Sequence, residues 1–383
     1  MMMKRYLISG IIICLGIFAV ISCIDPYNPS TTTANPGYLV VDGFLNTSDK
    51  SCTIKLTHTV PLNNKDTFYT PPVEANAIVQ IEDSDGTIFP LIEGVKGVYS
   101  ATGMNLDETK NYRLKISTKN QKQYVSDLVP VVQTPPIDSL TFGNERTGVH
   151  IDVTTHDATN KARYYMWTFT ETWNYEAGFA SEYTLNGATP VLRPFSFFNC
   201  YKSDNSVDLL LSSSIKLEND IITEFPLTVI PWSSPKLRKK YSIEVTQESL
   251  TKEGYEYWQQ VKKNTENLGT LFGPLPSTII GNIQCVTDPS EPVIGYFSAG
   301  SIQKKRIFTE SNTIRRPADA AAIITGYEGC EQDSAFFKNG PISGTIVNPI
   351  YSGLTTIGWT TTSLGCADCR YQGGVLEKPD FWE

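Results

Sequence analysis

The sequence predicts a mainly β protein: two tandem β-sandwich domains followed by a cysteine-bearing tail. Three observations carry that expectation. Tyr (19), Phe (17), Gly (27) and Pro (23) are abundant while charged residues make up only 19%, a mix that favours strands and turns over helices. Short period-two runs recur along the chain, punctuated by Asp-Gly, Gly and Pro. A helical period stands out in one segment only. With 40% apolar residues the chain can build cores, which argues against disorder, and 383 residues suit two or three domains.

Lys4 and Arg5 precede an apolar run from Tyr6 to Ile21. The run is short of the roughly 20 residues a bilayer span needs and reads as a signal peptide over residues 1–22. It ends Val20-Ile21-Ser22-Cys23, which resembles a bacterial lipobox with an uncommon Val three before the cysteine. That resemblance implies cleavage before Cys23 and lipidation (palmitate) of its thiol. Residues 23–36 hold three Pro, three Thr and little that could pack, so they are expected to form a tether.

The N-terminal sandwich is expected over 37–134. Its strands read at 38–43, 52–57, 77–82, 87–91, 97–100, 112–116 and 123–126. Asp83-Ser84-Asp85-Gly86 turns one hairpin. The order resembles the prealbumin-like or carboxypeptidase-regulatory sandwich. A Pro-rich stretch, 130–138, marks the joint. The second sandwich is expected over 135–310, with strands at 139–142, 149–154, 162–172, 207–212, 223–230, 238–246, 295–299 and 306–308. The run 162–172 puts Tyr165, Trp167 and Phe169 on one face and Tyr164, Met166 and Thr168 on the other, which suits a central strand. It resembles a fibronectin type III strand. Residues 174–200 look irregular. A helix is expected near 249–266: Ser249 as N-cap, then Gly254, Tyr257, Trp258 and Val261 on one face. From 311 to 383 the chain is turn-rich and is expected to pack on the second domain as a disulfide-stapled tail.

The net charge of −8 argues against a nucleic-acid partner. Three scattered His point to no metal site, and no cofactor is expected. Cys14 leaves with the signal and Cys23 takes lipid, so Cys52, Cys200, Cys285, Cys330, Cys366 and Cys369 remain. In an oxidising compartment disulfides are the default, and sequence alone leaves the pairing open. Cys366-Ala367-Asp368-Cys369 lacks the strand–helix setting of a redox CxxC, so stapling is the better reading. Ser249-Leu250-Thr251-Lys252 has the SxxK spacing of penicillin-recognising enzymes without their companion motifs. Asp83–Gly86 is half a calcium loop without the later acidic ligand. The chain is therefore read as a non-enzyme. Trp173, Tyr175, Phe197 and Phe198 are candidate binding aromatics wherever they are exposed.

Several blocks coincide: Cys23-Ile24-Asp25-Pro26, Tyr164-Tyr165-Met166-Trp167 with Glu171 and Trp173, Cys200-Tyr201, 251–258 (TKEGYEYW), Gly281-Asn282-Ile283, Gly295-Tyr296-Phe297, and the C-terminal CADCR, Gly373-Gly374 and KPDFW. Together they resemble the Bacteroidota outer-membrane lipoprotein family catalogued as domain of unknown function 4249. The resemblance implies an outer-membrane lipoprotein beside a TonB-dependent, SusC-like receptor. It implies two disulfides among Cys200, Cys330, Cys366 and Cys369, leaving Cys52 and Cys285 as candidates for an additional pair. It offers no catalytic residue to carry over. The expected function is a non-catalytic accessory or binding component, held to the membrane by its N-terminal lipid, with a ligand the sequence does not name. With only Asp25 near Cys23, the sequence does not choose the face of the outer membrane. The alternative is a surface glycan-binding or adhesive module, and a hydrolase or redox enzyme ranks last.

Overall fold

The computed structural model describes residues 37–60, 70–187, 189–266 and 279–382. The expected signal peptide, Cys23 and the tether lie outside the described residues. The first strands are β1 (Leu39–Asn46), β2 (Ser51–His58), β3 (Ile78–Asp83), β4 (Ile88–Glu93), β5 (Val98–Ala101), β6 (Asn111–Ser117), β7 (Gln123–Ser126) and β8 (Val129–Val132). Then come β9 (Ile137–Asn144), β10 (Gly148–Asp157), β11 (Tyr164–Glu176), β12 (Tyr183–Asn186), β13 (Thr189–Leu192), β14 (Asn199–Asn205), β15 (Leu210–Ser213), β16 (Asp220–Pro231) and β17 (Lys240–Ser249). Helix α1 (Lys252–Glu266) precedes β18 (Ile283–Cys285), β19 (Ile294–Gly295), β20 (Ser298–Gly300) and β21 (Ile302–Glu310). The tail holds β22 (Asp333–Phe336), β23 (Thr345–Ser352), β24 (Thr355–Thr362) and a short helix α2 (Leu364–Ala367).

The mainly β expectation holds, but the N-terminal strands close a barrel rather than an open sandwich. Eight strands run β6-β3-β4-β5-β2-β1-β20-β8, and β8 returns to β6. Two strands turn the corners. β4 pairs with β3 through Leu91 and with β5 from Ile92, and β8 passes from β6 at Val129–Pro130 to β20 at Val131–Val132. Period two fills the interior: Cys52, Ile54 and Leu56 of β2, and Tyr112, Leu114 and Ile116 of β6, all point inward and are buried. The hairpin at Asp83 is locked by its own side chain. Its Oδ1 accepts from the Asp85 and Thr87 amides at 2.9 and 2.8 Å, and Gly86 supplies the positive φ of 86°. Lys110, 2.8 Å away, is the main cause that holds the Asp83 carboxyl down to about 2.

The segment 283–300 does not close the second sandwich, as its sequence suggested. β18 pairs with β7, β19 and β20 run parallel to β1, and β20 reaches β8. Alternation marks a strand but not its partner, and these partners lie more than a hundred residues away. The sandwich itself sets the sheet β9-β10-β16 against β11, β14, β15, β17 and β21, with β11 central as expected. One core joins the two sheets, with Val149, Ile151, Trp167, Ile230 and Ile243 among its members. The whole of α1 through β20 is thus an insertion between the neighbouring strands β17 and β21, and it donates strands to the barrel.

The Pro-rich joint is pinned rather than free. Thr134 donates from its hydroxyl to Ser301 O at 2.5 Å, and its amide donates to Ser301 Oγ at 2.7 Å. The Ser249 amide donates to Thr134 Oγ1 at 2.9 Å. Near this joint, burial pushes the Glu248 carboxyl up to about 7, with Asp42 adding like-charge repulsion. A raised folded value means the folded chain holds a proton that the unfolded chain has already released. Stability from this group is therefore full below about pH 4.3 and falls as pH rises towards about 7, by up to ~3 kcal/mol. Glu248→Gln should melt like wild type at about pH 4 and hold the advantage at about pH 8. Melting curves that stay parallel across this range would count against the burial account.

The tail adds the sheet β22-β24-β23 and two disulfides, Cys200–Cys369 and Cys330–Cys366. Residues 174–200, expected to be irregular, hold the end of β11 and the hairpin β12–β13, whose Tyr183 ring packs tilted against Trp359 at 4.8 Å. At the C-terminus Trp382 packs on Tyr201 and Phe308, and Phe381 lies 3.5 Å from the Arg306 guanidinium. The tail therefore covers the outer face of β14 and β21.

Candidate functional site

A recess among the described residues forms where α1 crosses from sandwich to barrel. The helix starts at Lys252 because Thr251, not Ser249, caps it. Thr251 Oγ1 accepts from the Gly254 amide at 3.1 Å and its carbonyl from the Tyr255 amide at 3.0 Å. Ser249 instead ends β17, where its hydroxyl is buried without a partner. The helix buries Gly254, Tyr255 and Tyr257 and turns Glu253 and Glu256 outward. Tyr255 meets Tyr164 at 5.0 Å, and Tyr257 meets Tyr296 at 5.3 Å. Gly254 permits that approach, since a Cβ there would sit 3.1 Å from the Tyr296 ring. Below it, Asn282 mimics a strand: its Nδ2 donates to Phe297 O, and its Oδ1 accepts from the Phe297 amide, each at 2.8 Å.

These contacts leave an open cleft of about 910 Å³ between α1, the β7–β8 corner and the turn at 280–282. Asp127, Glu253 and Glu256 bring carboxylates, Gln259 brings an amide, and Tyr257 and Tyr296 bring aromatic walls. Burial pushes the Tyr257 hydroxyl up to about 12 and raises that of Tyr296, so both stay neutral at ordinary pH. No His, Cys or Ser is among the described residues that line the cleft. The Thr251 hydroxyl is already engaged with Gly254 and Tyr296. The arrangement can accept hydrogen bonds and stack rings. Lys263 adds an ammonium and Asn264 a further amide to the lining.

The sequence candidates fall elsewhere. Cys200, Cys330, Cys366 and Cys369 form the two bridges, so each half of the CxxC goes to a different partner. Cys52 and Cys285 are not a third pair: both are free and buried in the barrel core. Each occupies an inward position of its own strand as a small apolar residue, and burial pushes the Cys52 thiol up to about 12. Trp173 and Tyr175 are core residues on the inward side of β11 and form no binding surface. Trp173 lies 4.8 Å beneath the Lys236 ammonium, and the Tyr175 hydroxyl donates to Cys369 O at 2.7 Å. Phe198 packs at the edge of the same core, and Phe197 is half-buried between the Arg193 and Arg370 guanidiniums at 5.2 and 4.2 Å. Lys252 of the SxxK spacing is exposed and pairs with Glu256. Among the described residues, no group of three His, Cys, Asp or Glu could hold a metal ion. Thr251, Glu253, Glu256 and Tyr257 of the cleft lie in the block 251–258, whose spacing shows a helix and no site; only the tertiary contacts bring 281–282 and Tyr296 beside them.

Residues 24–306 match the family described as domain of unknown function (DUF4249). The chain belongs to that family. The match takes in the barrel strands β1 to β8, the sandwich up to the middle of β21, and every cleft residue named above. It stops before Cys330, so the tail with its CADCR and KPDFW blocks lies outside the matched span of this DUF4249 protein. No curated protein matches the chain. Solved structures similar to it include a cytokine receptor complex (8% identity, 55% of this chain and 84% of that one, TM-score 0.20). A second is the chicken interferon gamma receptor alpha chain (10% identity, 56% of this chain and 91% of that one, TM-score 0.16). The fold rests on the strand pairings and not on these likenesses.

Proposed function

We propose that this DUF4249 protein is a Bacteroidota outer-membrane lipoprotein, anchored through Cys23, that acts as a non-catalytic binding or accessory partner of a TonB-dependent, SusC-like receptor. The observation that carries the binding reading is the junction cleft. Blocks far apart in sequence meet there, and they present carboxylates, amides, the Lys263 ammonium and Tyr rings to one open cleft. The lipobox-like end of the apolar N-terminal run supports the anchor. The strand order of the second unit, three strands against the β11 sheet, supports the fibronectin type III-like reading.

Purification of the tagged chain from native membranes in mild detergent tests the proposal. A TonB-dependent receptor should co-purify with wild type and be depleted with the double variant Glu253→Lys, Glu256→Lys. Wild type that brings down no such receptor would remove the reading. The glycan-binding alternative needs exposed aromatics, and Trp173 and Tyr175, buried in the sandwich core, do not supply them.

A further inference from the structure

One face of the barrel wall is apolar on both sides. β4 reads Ile88-Phe89-Pro90-Leu91-Ile92, a pattern that belongs to a strand covered on two faces. Leu91 points into the core, while Ile88, Pro90 and Ile92 point out. Ile88 is 50% exposed and Ile92 76%. Beside them, Ile78 at the start of β3 is 63% exposed and Val95 at the β4–β5 turn 74%. The Glu93 side chain ties the edges of the patch together: its Oε2 accepts from the Asn76 amide at 2.9 Å and its Oε1 from the Gly97 amide at 2.8 Å. Four exposed aliphatic side chains, Ile78, Ile88, Ile92 and Val95, thus share β3, β4 and the turn that follows, where single scattered ones would need no account.

The patch lies at the end of the barrel where the chain arrives from its N-terminus. Tyr38 and Thr59 exchange hydrogen bonds at 3.0 Å there. The His58 amide donates to Pro72 O at 2.8 Å, Val73 bridges to Thr57, and the Leu56 amide donates to Gly97 O at 2.8 Å. Cys23 precedes Tyr38 by 15 positions in the sequence, a length that can reach at most about 50 Å.

We propose that this face, centred on Ile92 and Val95, rests against the lipid surface to which Cys23 is anchored. The inference builds on the anchor proposed above. Lys96, exposed at the tip beside Val95, supplies a cation at headgroup level. Gln80 lies among the outward positions, Glu82 is paired with Arg113 and Lys115, and the Glu93 carboxylate between Ile92 and Val95 is held by the Asn76 and Gly97 amides. A few aliphatic side chains bind a bilayer weakly by themselves, but they orient a body that acyl chains already hold.

The test uses the full chain from native membranes, placed in phosphatidylethanolamine–phosphatidylglycerol vesicles with brominated acyl chains. Val95→Trp should add fluorescence that these lipids quench about twofold, as expected for a ring about 5–10 Å into the headgroup–acyl boundary. Val207→Trp, at a 92% exposed position in the connection before β15, should be unquenched. The mass of the N-terminal peptide reports separately whether Cys23 carries lipid. Lipid on Cys23 with equal quenching at both positions overturns the docking face and leaves the anchor standing. An unmodified Cys23 overturns both. A blue shift at Val95→Trp without quenching, with a doubled particle mass, assigns the face to a second copy and also overturns the inference.

Discussion

Gly281→Ala should detach the α1–β20 insertion from the barrel and erase the cleft while the sandwich stays folded. A Cβ at Gly281 would lie 1.6 Å from Gly295 O, well inside any van der Waals contact. Gly295 cannot retreat. Its own Cα already faces Val41 O, where an added Cβ would sit at 2.2 Å, and its φ of 144° is one that only glycine adopts readily. The strain must therefore move residue 281 outward. That breaks the paired hydrogen bonds between Asn282 and Phe297 and the bond from the Asp127 amide to Asn282 O. The loss should reach about 4 kcal/mol, at the severe end for a single substitution. Urea unfolding followed by hydrogen exchange would show it: β18 and β19 should lose protection before β11 and β17. A midpoint shift worth less than about 0.5 kcal/mol would mean that the three backbones are not in contact.

Trp167→Ala should unfold the sandwich first. Trp167 is fully buried, stacks at 5.7 Å on Tyr165 and 4.8 Å on Phe225, and donates from Nε1 to Gln247 Oε1 at 2.8 Å. Gln247 in turn donates to Pro135 O at 2.8 Å and to Thr155 Oγ1 at 3.0 Å, so one ring holds both the core and the joint. The cavity costs about 3–5 kcal/mol, and the orphaned Gln247 oxygen adds to it. Trp167→Phe separates the two contributions. It keeps most of the packing and loses the donor, for about 1–3 kcal/mol. Equal losses for the two variants in chemical denaturation would assign the whole effect to the hydrogen bond and contradict the packing argument.

Much of the local structure was readable residue by residue. The alternation of Cys52-Thr53-Ile54-Lys55-Leu56 identified β2, and the Asp83–Gly86 turn identified its hairpin. The aromatic run around Trp167 identified a central strand buried on its inward face. The helix was legible from Tyr257, Trp258 and Val261, but its start was misplaced. Ser249 and Thr251 both have cap side chains, and only the pairing of Ser249 with Tyr165 of β11 shows that Ser249 still belongs to β17. The aromatic candidates failed for a related reason. Trp173 and Tyr175 continue the inward series of Tyr165, Trp167 and Phe169, and a sequence of alternating large residues does not say where the buried part of a strand ends.

The sequence by itself determined the β class, the positions of most strands and the apolar run that ends at Cys23. Each of these is written in neighbouring residues, where a period of two, a Gly turn or an unbroken apolar stretch acts over a few positions. The tertiary structure alone decided that the first unit is a closed barrel and that residues 283–300 belong to it. It also decided that Cys366 and Cys369 pair outward to Cys330 and Cys200, and that Glu253, Asn282 and Tyr296 share one cleft. All of these join residues of distant segments. What selects them is close approach, as at Gly281, Gly295 and Val41, and close approach leaves no periodic trace along the chain.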